Sequence, residues 1–503
     1  MLIVVLQFLL FIPLLIGAFF PVFNNFKIPL LIMLPFFIFF LLKNTEIKFK
    51  VEKYAVKIIA FAFLMAFLKI LILDYFSFNV NAVDFSFFDH LVPNSFMGKF
   101  MYTAVDESIQ MTNHPYFIIW LLAPLQMIFK TPLILHMAHG VVLWSAFIPL
   151  YLLLKRFSFK PIIRILLLLS FFLSPYLNRV LLFHFHPEVY YVPLFFWLYY
   201  FLLENKEKLF YLAAFLICSI KTDAPIYLFL FCLGLFYAKE IKGRKLINIS
   251  LLALSFCIVN ILFFMPYELT LKGAENIGPI DKVIQVAQNF YEVNLIHLSK
   301  NIWTTFNDGP WKILYPFLGI PLIIPQVGFV LWPLFLLFSV IDYAPLRGLH
   351  VYYSAPVIPF LFIGLVLFYK KNKYLCYTVP FLIIFSFLFS ENRYYLKENI
   401  QFERPKYSYE NFMLLKSQID LDGGTLCTQG TLFPHFPYHQ NLKLLRKDCV
   451  LDQYKYYFFN KSQRSFPYFG DAEFQEVFKR LDENNDYIKY QLDDFILYKK
   501  ISG

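Results

Sequence analysis

The stretch "AVKIIAFAFLMAFLKILILDYFSF" (55–78) is apolar almost throughout, and "NVNAVDFSFFDHL" (79–91) follows it at once with Asp84, Asp89 and His90. A helix needs about 20 apolar residues to cross the hydrocarbon core of a bilayer. The first part therefore reads as a membrane span and the second as the point where the chain leaves lipid. Ionisable groups at such an exit are costly unless they face a bundle interior or an aqueous cavity. The pairing of these two stretches sets both the fold class and the place to look for function.

Composition agrees. Of 503 residues, 59% are hydrophobic and only 16% charged, with 65 Phe and 34 Tyr, against about 25% charged in soluble domains. Aromatic rings in such number suit lipid-facing surfaces and interface belts. The net charge of +11 does not point to nucleic acid, because the basic residues fall in short loops between apolar runs. The opening "MLIVVLQFLLFIPLLIGAFFPVF" (1–23) lacks a basic leader and a small-residue cleavage site and reads as a retained span.

Apolar runs place about 13 transmembrane helices, at 3–23, 27–43, 55–76, 132–153, 161–178, 187–203, 208–220, 224–238, 246–266, 311–323, 327–341, 353–369 and 374–390. The pairs within 208–238 and 311–341 also read as single kinked helices. Basic loops at 43–57, 155–160, 204–208, 239–245 and 370–373 mark the cytoplasmic side. The N-terminus is then cytoplasmic and the C-terminus outside, provided that "HPYFIIWLLAPLQMIF" (114–129) lies along the outer interface. The expected organisation is a polytopic membrane domain over 1–390, with interfacial helices at about 77–131, and a small soluble α/β domain over 391–503. The latter rests on the alternation in "DYIKYQLDDFILYKK" and an amphipathic helix at 471–484. Cys427 and Cys449 fall in that outward domain, where a disulfide between them is permitted.

On this topology all ten histidines lie in outward loops, the outward domain or the outer half of a helix, an asymmetry no charge rule for loops produces. Five motifs concentrate ionisable residues. "VDFSFFDH" offers Asp84, Asp89 and His90. "TNHPYF" offers His114. "LLFHFHPEVYY" sets His184, His186 and Glu188 at alternate positions, on one face if extended. "SIKTDAPIY" puts Lys221 and Asp223 in a turn, where a local ion pair is the plain structural reading. "LRGLHVYYSAP" brings Arg347, His350 and Tyr352 to another helix mouth. Carboxylates and imidazoles around one cavity suit general-base catalysis or a divalent metal. Arg179, Lys221 and Arg347 suit a phosphate.

The order of these motifs from about residue 75 onward resembles an uncharacterised family of bacterial predicted membrane proteins, domain of unknown function 2079. Its recurring segments correspond here to Asp84 and Asp89, to His114, to His186–Pro187–Glu188, and to Lys221 and Asp223, with His90 replacing a usual glutamine. That family in turn resembles the GT-C superfamily of polytopic glycosyltransferases. The resemblance implies an inverting hexosyl or pentosyl transferase of the bacterial inner membrane, working at the periplasmic face on a polyprenyl-phosphate sugar donor. Asp84, with Asp89, would be catalytic. His90, His114, His186, Glu188, Lys221, Asp223, Arg179, Arg347, His350 and Tyr352 would bind substrate. Asp84, His186 and Glu188 are the candidate ligands for a divalent cation, Mg or Mn. The expected partners are the lipid-linked donor and membrane lipid, and not nucleic acid. The rival reading is a transporter or flippase for a lipid-linked or polar substrate, since "KTDAP" interrupts an apolar hairpin.

Overall fold

The computed structural model describes residues 49–80, 82–103, 105, 108–109, 116–129, 131–260, 310–340, 349, 351–372, 380, 383, 408–436, 439, 441–445, 453–462 and 471–501. The expected spans 3–23 and 27–43 fall outside these residues, and so do nearly all of 374–390 and the end of 246–266.

The opening helix α1 (Phe49–Phe76) starts earlier than the sequence reading placed it. The supposed loop at 43–57 is helical from Phe49 because Glu52 is not solvated. It is fully buried, its carboxylate gripped by the Arg164 guanidinium, with Nε donating at 2.6 Å. A π-turn (Ala82–Ser86) leads straight into α2 (Phe87–Phe96), so "VDFSFFDH" is helical throughout. A two-stranded ribbon, β1 (Tyr102–Thr103) and β2 (Ser108–Ile109), follows. Next come a 3₁₀ turn (Phe117–Leu122) and α3 (Ala123–Phe129).

Prolines open the next helices at first-turn positions, where a missing N–H costs nothing. They are α4 (Pro132–Ser145), running almost directly into α5 (Phe147–Arg156), then α6 (Pro161–Phe172) and α7 (Pro175–Leu181). Pro175 breaks the last pair, which bends by 47°. A 3₁₀ turn (Pro187–Tyr190) precedes α8 (Tyr191–Leu203), and α9 (Glu207–Cys218), α10 (Ala224–Tyr237) and α11 (Gly243–Val259) complete this run. The region 208–238 is thus two helices and not one kinked one. Later come α12 (Pro325–Val340) and α13 (Ile358–Lys371).

Among the described residues, Glu52–Phe76, Pro132–Arg156 and Tyr352–Lys371 are long and apolar enough to cross a membrane, and the bent α6–α7 pair makes a fourth if it is one span. Helices of 12 to 14 residues such as α9 and α10 reach only about 18–21 Å at 1.5 Å per residue, short of a 30 Å core. The expected span at 311–323 is not a helix of that kind. Two 3₁₀ pieces, Pro310–Phe317 and Ile320–Ile323, are separated by left-handed Leu318 (φ 54°) and Gly319 (φ 64°). Three prolines in this stretch deny the backbone the donors an α-helix needs.

Residues 408–501 carry α14 (Tyr409–Lys416), α15 (Asp471–Glu483) and a five-stranded mixed sheet. Its strands are β3 (Leu426–Thr428), β4 (Leu442–Leu444), β5 (Tyr456–Asn460), β6 (Tyr487–Leu492) and β7 (Phe495–Lys500), in the order β4-β3-β5-β7-β6. β3 pairs in parallel with β4 and β5, and the β7 pairs are antiparallel. The sheet's two faces follow the period of two. Tyr456, Phe458, Phe495 and Leu497 pack with Phe412 and with Phe78 and Ala82, while Tyr457, Phe459, Ile496 and Tyr498 pack with Phe474, Phe478 and Leu481 of α15. Phe78 and Ala82 follow α1, so the exit segment of the first described span is built into the core of the sheet. The Ala82 N–H donates to Gly430 O at 2.8 Å, and the Tyr75 hydroxyl to Pro434 O at 3.3 Å.

Candidate functional site

The centre of the site is made by two short connections. His186 is extended (φ −140°, ψ 135°) and Pro187 then turns the chain, which folds Glu188 back beside the imidazole. His186 Nδ1 and a Glu188 carboxylate oxygen are in direct contact. The other Glu188 oxygen accepts from Lys221 Nζ at 2.7 Å. Lys221 comes from the turn between α9 and α10, and Asp223 ends that turn. Lys221 does not bond Asp223, as the local reading of "KTDAP" had it. The Asp223 oxygens instead accept from the hydroxyls of Tyr191 and Tyr227, each at 2.8 Å. Helix packing set these pairings, because it laid Glu188 nearer the ammonium than its sequence neighbour.

Two further elements close the walls. In the turn Val351–Ser354, the Tyr352 ring stacks on His186 at 3.6 Å and 8°, and its hydroxyl donates to Tyr353 at 2.8 Å. Phe88 of α2 meets His186 edge-on at 4.7 Å and Tyr116 at 5.0 Å. The Ile118 N–H donates to Ser219 O at 2.9 Å, which ties the 3₁₀ turn Phe117–Leu122 to the connection bearing Lys221. His186, Glu188, Lys221, Asp223 and Tyr352 therefore converge from three sequence-distant motifs.

His186 and Glu188 are only 6% and 3% exposed. Burial alone would lower the Lys221 ammonium, but Glu188, Tyr116 and Asp223 overcome it and hold it well above its ordinary value. Two carboxylates, Glu188 and Asp223, face one ammonium. Such a site favours hydroxyl donors or a cation. The described side chains do not fit a divalent ion at Glu188, because Lys221 and His186 already occupy its oxygens. Among the described residues, no group of three His, Cys, Asp or Glu could hold a metal.

The other candidates sit elsewhere or outside the description. Asp89 is buried on α2, with Gln126 Nε2 donating to its backbone oxygen at 3.3 Å. Burial pushes its carboxyl up to about 7, against a smaller opposing effect of Gln126. His90, also buried, faces Phe433 at 5.4 Å, and burial pushes its imidazole down to about 3. Arg179 stands over the Tyr176 ring at 5.4 Å. Asp84 lies in the π-turn before α2, with its side chain outside the described atoms, and His114, Arg347 and His350 fall outside the described residues. Cys427 is buried in β3, and Cys449 lies outside the description.

Sequence reasoning missed Tyr116, Tyr191, Tyr227 and Tyr353, which nothing distinguishes among 34 tyrosines. It also missed Asp74, whose carboxylate meets His136 Nε2 at 3.3 Å. An acid ending an apolar run was the available signal.

No curated protein matches the chain. Residues 74–463, from Asp74 through all of these connections into the sheet, match the family described as "Predicted membrane protein (DUF2079)". Because that match spans more than half of the 503 residues, the chain belongs to this family of predicted membrane proteins.

Proposed function

We propose that the protein is a GT-C-like glycosyltransferase of a bacterial inner membrane that moves a sugar from a polyprenyl-phosphate donor to an acceptor at the periplasmic face. The observation that supports this reading is the convergence of His186, Glu188, Lys221, Asp223 and Tyr352 into one buried cluster beside α2. Carboxylates with spare lone pairs, phenols and flat aromatic walls are the groups that hold sugar hydroxyls and the apolar faces of a pyranose. Soluble-protein needs do not explain so much charge beneath apolar helices.

In this mechanism Asp84 removes the acceptor's hydroxyl proton as its oxygen bonds to the anomeric carbon. The carbon–oxygen bond to the phosphate breaks on the opposite face, inverting the configuration, and polyprenyl phosphate departs with the electron pair. Lys221, positioned by Glu188, opposes the charge developing on that phosphate. Asp223, fixed by Tyr191 and Tyr227, and His186 orient the sugar.

The test uses full-length protein in proteoliposomes with polyprenyl-phosphate hexoses and pentoses carrying a radiolabelled sugar. Asp84→Asn should lower transfer by about 10²–10⁴-fold with folded protein retained. Full activity in that variant removes the assignment of the base. Passage of the intact lipid-linked sugar between leaflets without any transfer would replace the enzyme with the flippase reading.

A further inference from the structure

Three imidazoles that the proposed chemistry leaves unused, His136, His139 and His184, stand where the end of α1, α4 and the connection after α7 meet. We propose that the Asp74–His136 pair is the second proton acceptor of the site. It takes on the proton that Asp84 removes from the acceptor hydroxyl and passes it to water through Asp74. The inference rests on the glycosyltransferase reading and adds the step that readies Asp84 for its next turnover.

Asp74 stands two residues before the end of α1, and its Oδ2 meets His136 Nε2 at 3.3 Å. An ionised carboxylate only accepts, so Nε2 carries the hydrogen and donates it. The other nitrogen, Nδ1, is then a bare lone pair. It is buried and has no hydrogen-bond partner among the described residues. An imidazole with one nitrogen on a carboxylate and the other free is a base oriented by a third group. His139 repeats the pattern about one helical turn on. Its Nε2 donates to Val180 O at 2.8 Å, and its Nδ1 is buried and unpartnered among the described residues. His184 adds a third such Nδ1. Buried polar atoms are nearly always bonded, so three bare acceptors gathered about one acid mark a place for protons.

The placement suits the role. Phe85, which follows Asp84 in the π-turn, meets the His136 ring edge-on at 5.7 Å. Burial pushes the His184 imidazole down to about 4; Asp74 opposes this, while His136 and His186 add to it. His184 thus feels both the pair and the cluster. Asp74 is the way out, because its side chain is 16% exposed while that of His136 is fully enclosed. In the step itself the Asp84 carboxyl gives its proton to His136 Nδ1 and is a carboxylate again. The imidazolium is held by the charge of Asp74, which hands the Nε2 proton to water. Tautomer exchange then leaves Nδ1 bare once more.

The experiment uses full-length protein in proteoliposomes with radiolabelled polyprenyl-phosphate hexoses and pentoses, and counts sugars transferred per protein by rapid quench. Nitrogen-15 NMR of the histidine-labelled protein reads the tautomer, expected with hydrogen on Nε2 of His136 and none on Nδ1. His136→Ala should still transfer about one sugar per protein, since Asp84 can hold one proton. Later turnovers should slow by at least about 10²-fold, and imidazole added to the buffer should restore them. Asp74→Asn, nearly isosteric, should show the same split between first and later turnovers. Later turnovers at the wild-type rate, loss of the first turnover with the rest, or no rescue by imidazole overturns the proposal. A wild type that transfers nothing fails the enzyme reading and the relay with it, whereas transfer by a wild type with hydrogen on Nδ1 fails the relay alone.

Discussion

Asp89 should make the protein less stable as pH rises, and the size of the effect follows from its burial. Its carboxyl is 7% exposed and is pushed up to about 7 from an ordinary 3.8. Between those two values the folded state holds a proton that the unfolded chain has released. The slope of unfolding free energy with pH follows protons bound unfolded minus protons bound folded, which is negative here, so stability falls as pH climbs. About three pKa units at 1.36 kcal/mol each give a loss of about 4 kcal/mol by pH 8 or so, almost none of it present near pH 4. His90 and His184 act with the opposite sign, because burial lowers them to about 3 and about 4. Their unfolded forms hold the extra proton, so they add stability as pH rises toward 6.5 or so. The wild-type curve therefore mixes both signs, and the informative quantity is the difference from Asp89→Asn. That variant should match the wild type near pH 4 and exceed it by about 4 kcal/mol near pH 8. Thermal unfolding of both proteins in the same detergent, followed by tryptophan emission across that range, measures it. Parallel curves would refute the argument that Asp89 is held in a desolvated site.

Three other expectations concern packing and pairing. Glu52→Ala leaves the Arg164 guanidinium buried without its carboxylate and should cost about 3–5 kcal/mol, whereas Glu52→Leu with Arg164→Leu should be much closer to the wild type; equal melting of single and double variants contradicts this. Gly234→Ala would set a Cβ 2.6 and 2.7 Å from the carbonyl oxygens of Gln326 and Pro325, forcing α10 from α12, while the one close contact of Gly140→Ala is the movable Leu71 Cδ1 methyl at 2.6 Å. The first should be destabilised by about 1–3 kcal/mol more than the second, read as a difference in melting temperature. Tyr191→Phe and Tyr227→Phe each remove one donor to Asp223 and should cost about 1.5–3 kcal/mol apiece. A double variant costing the simple sum would show that the two phenols do not share one acceptor.

What could be read from the sequence was whatever depends on local period. The run 55–76 is a long helix, 471–483 is an amphipathic helix, and "DYIKYQLDDFILYKK" is the β6–β7 hairpin turned by Asp493 at φ 50°. β3 and β4, three residues each and paired in parallel across a long connection, carry too little pattern to be seen. Charges near helix ends were placed by a rule about loops, and Glu52 broke it because its partner lies 112 residues away. The site motifs were visible for the same reason that their pairings were not. Local composition marked "FHPE" and "KTDAP" as unusual within an apolar chain, but spacing inside a motif cannot say which neighbour a side chain will meet.

The two carboxylates of the cluster show why that matters for chemistry. Glu188 and Asp223 are both acids beside helix starts, and in the sequence they look interchangeable. Packing gave Glu188 a cation and an imidazole, a pairing that fixes Lys221 and the orientation of His186. It gave Asp223 two phenols, which hold its geometry through neutral donors. Each acid meets one partner per oxygen, so the difference between them lies in the partners: an ammonium and an imidazole for Glu188, two neutral phenols for Asp223. On the proposed glycosyltransferase reading, Asp223 is the acid that would receive a hydroxyl of the sugar, while Glu188 keeps Lys221 and His186 in place.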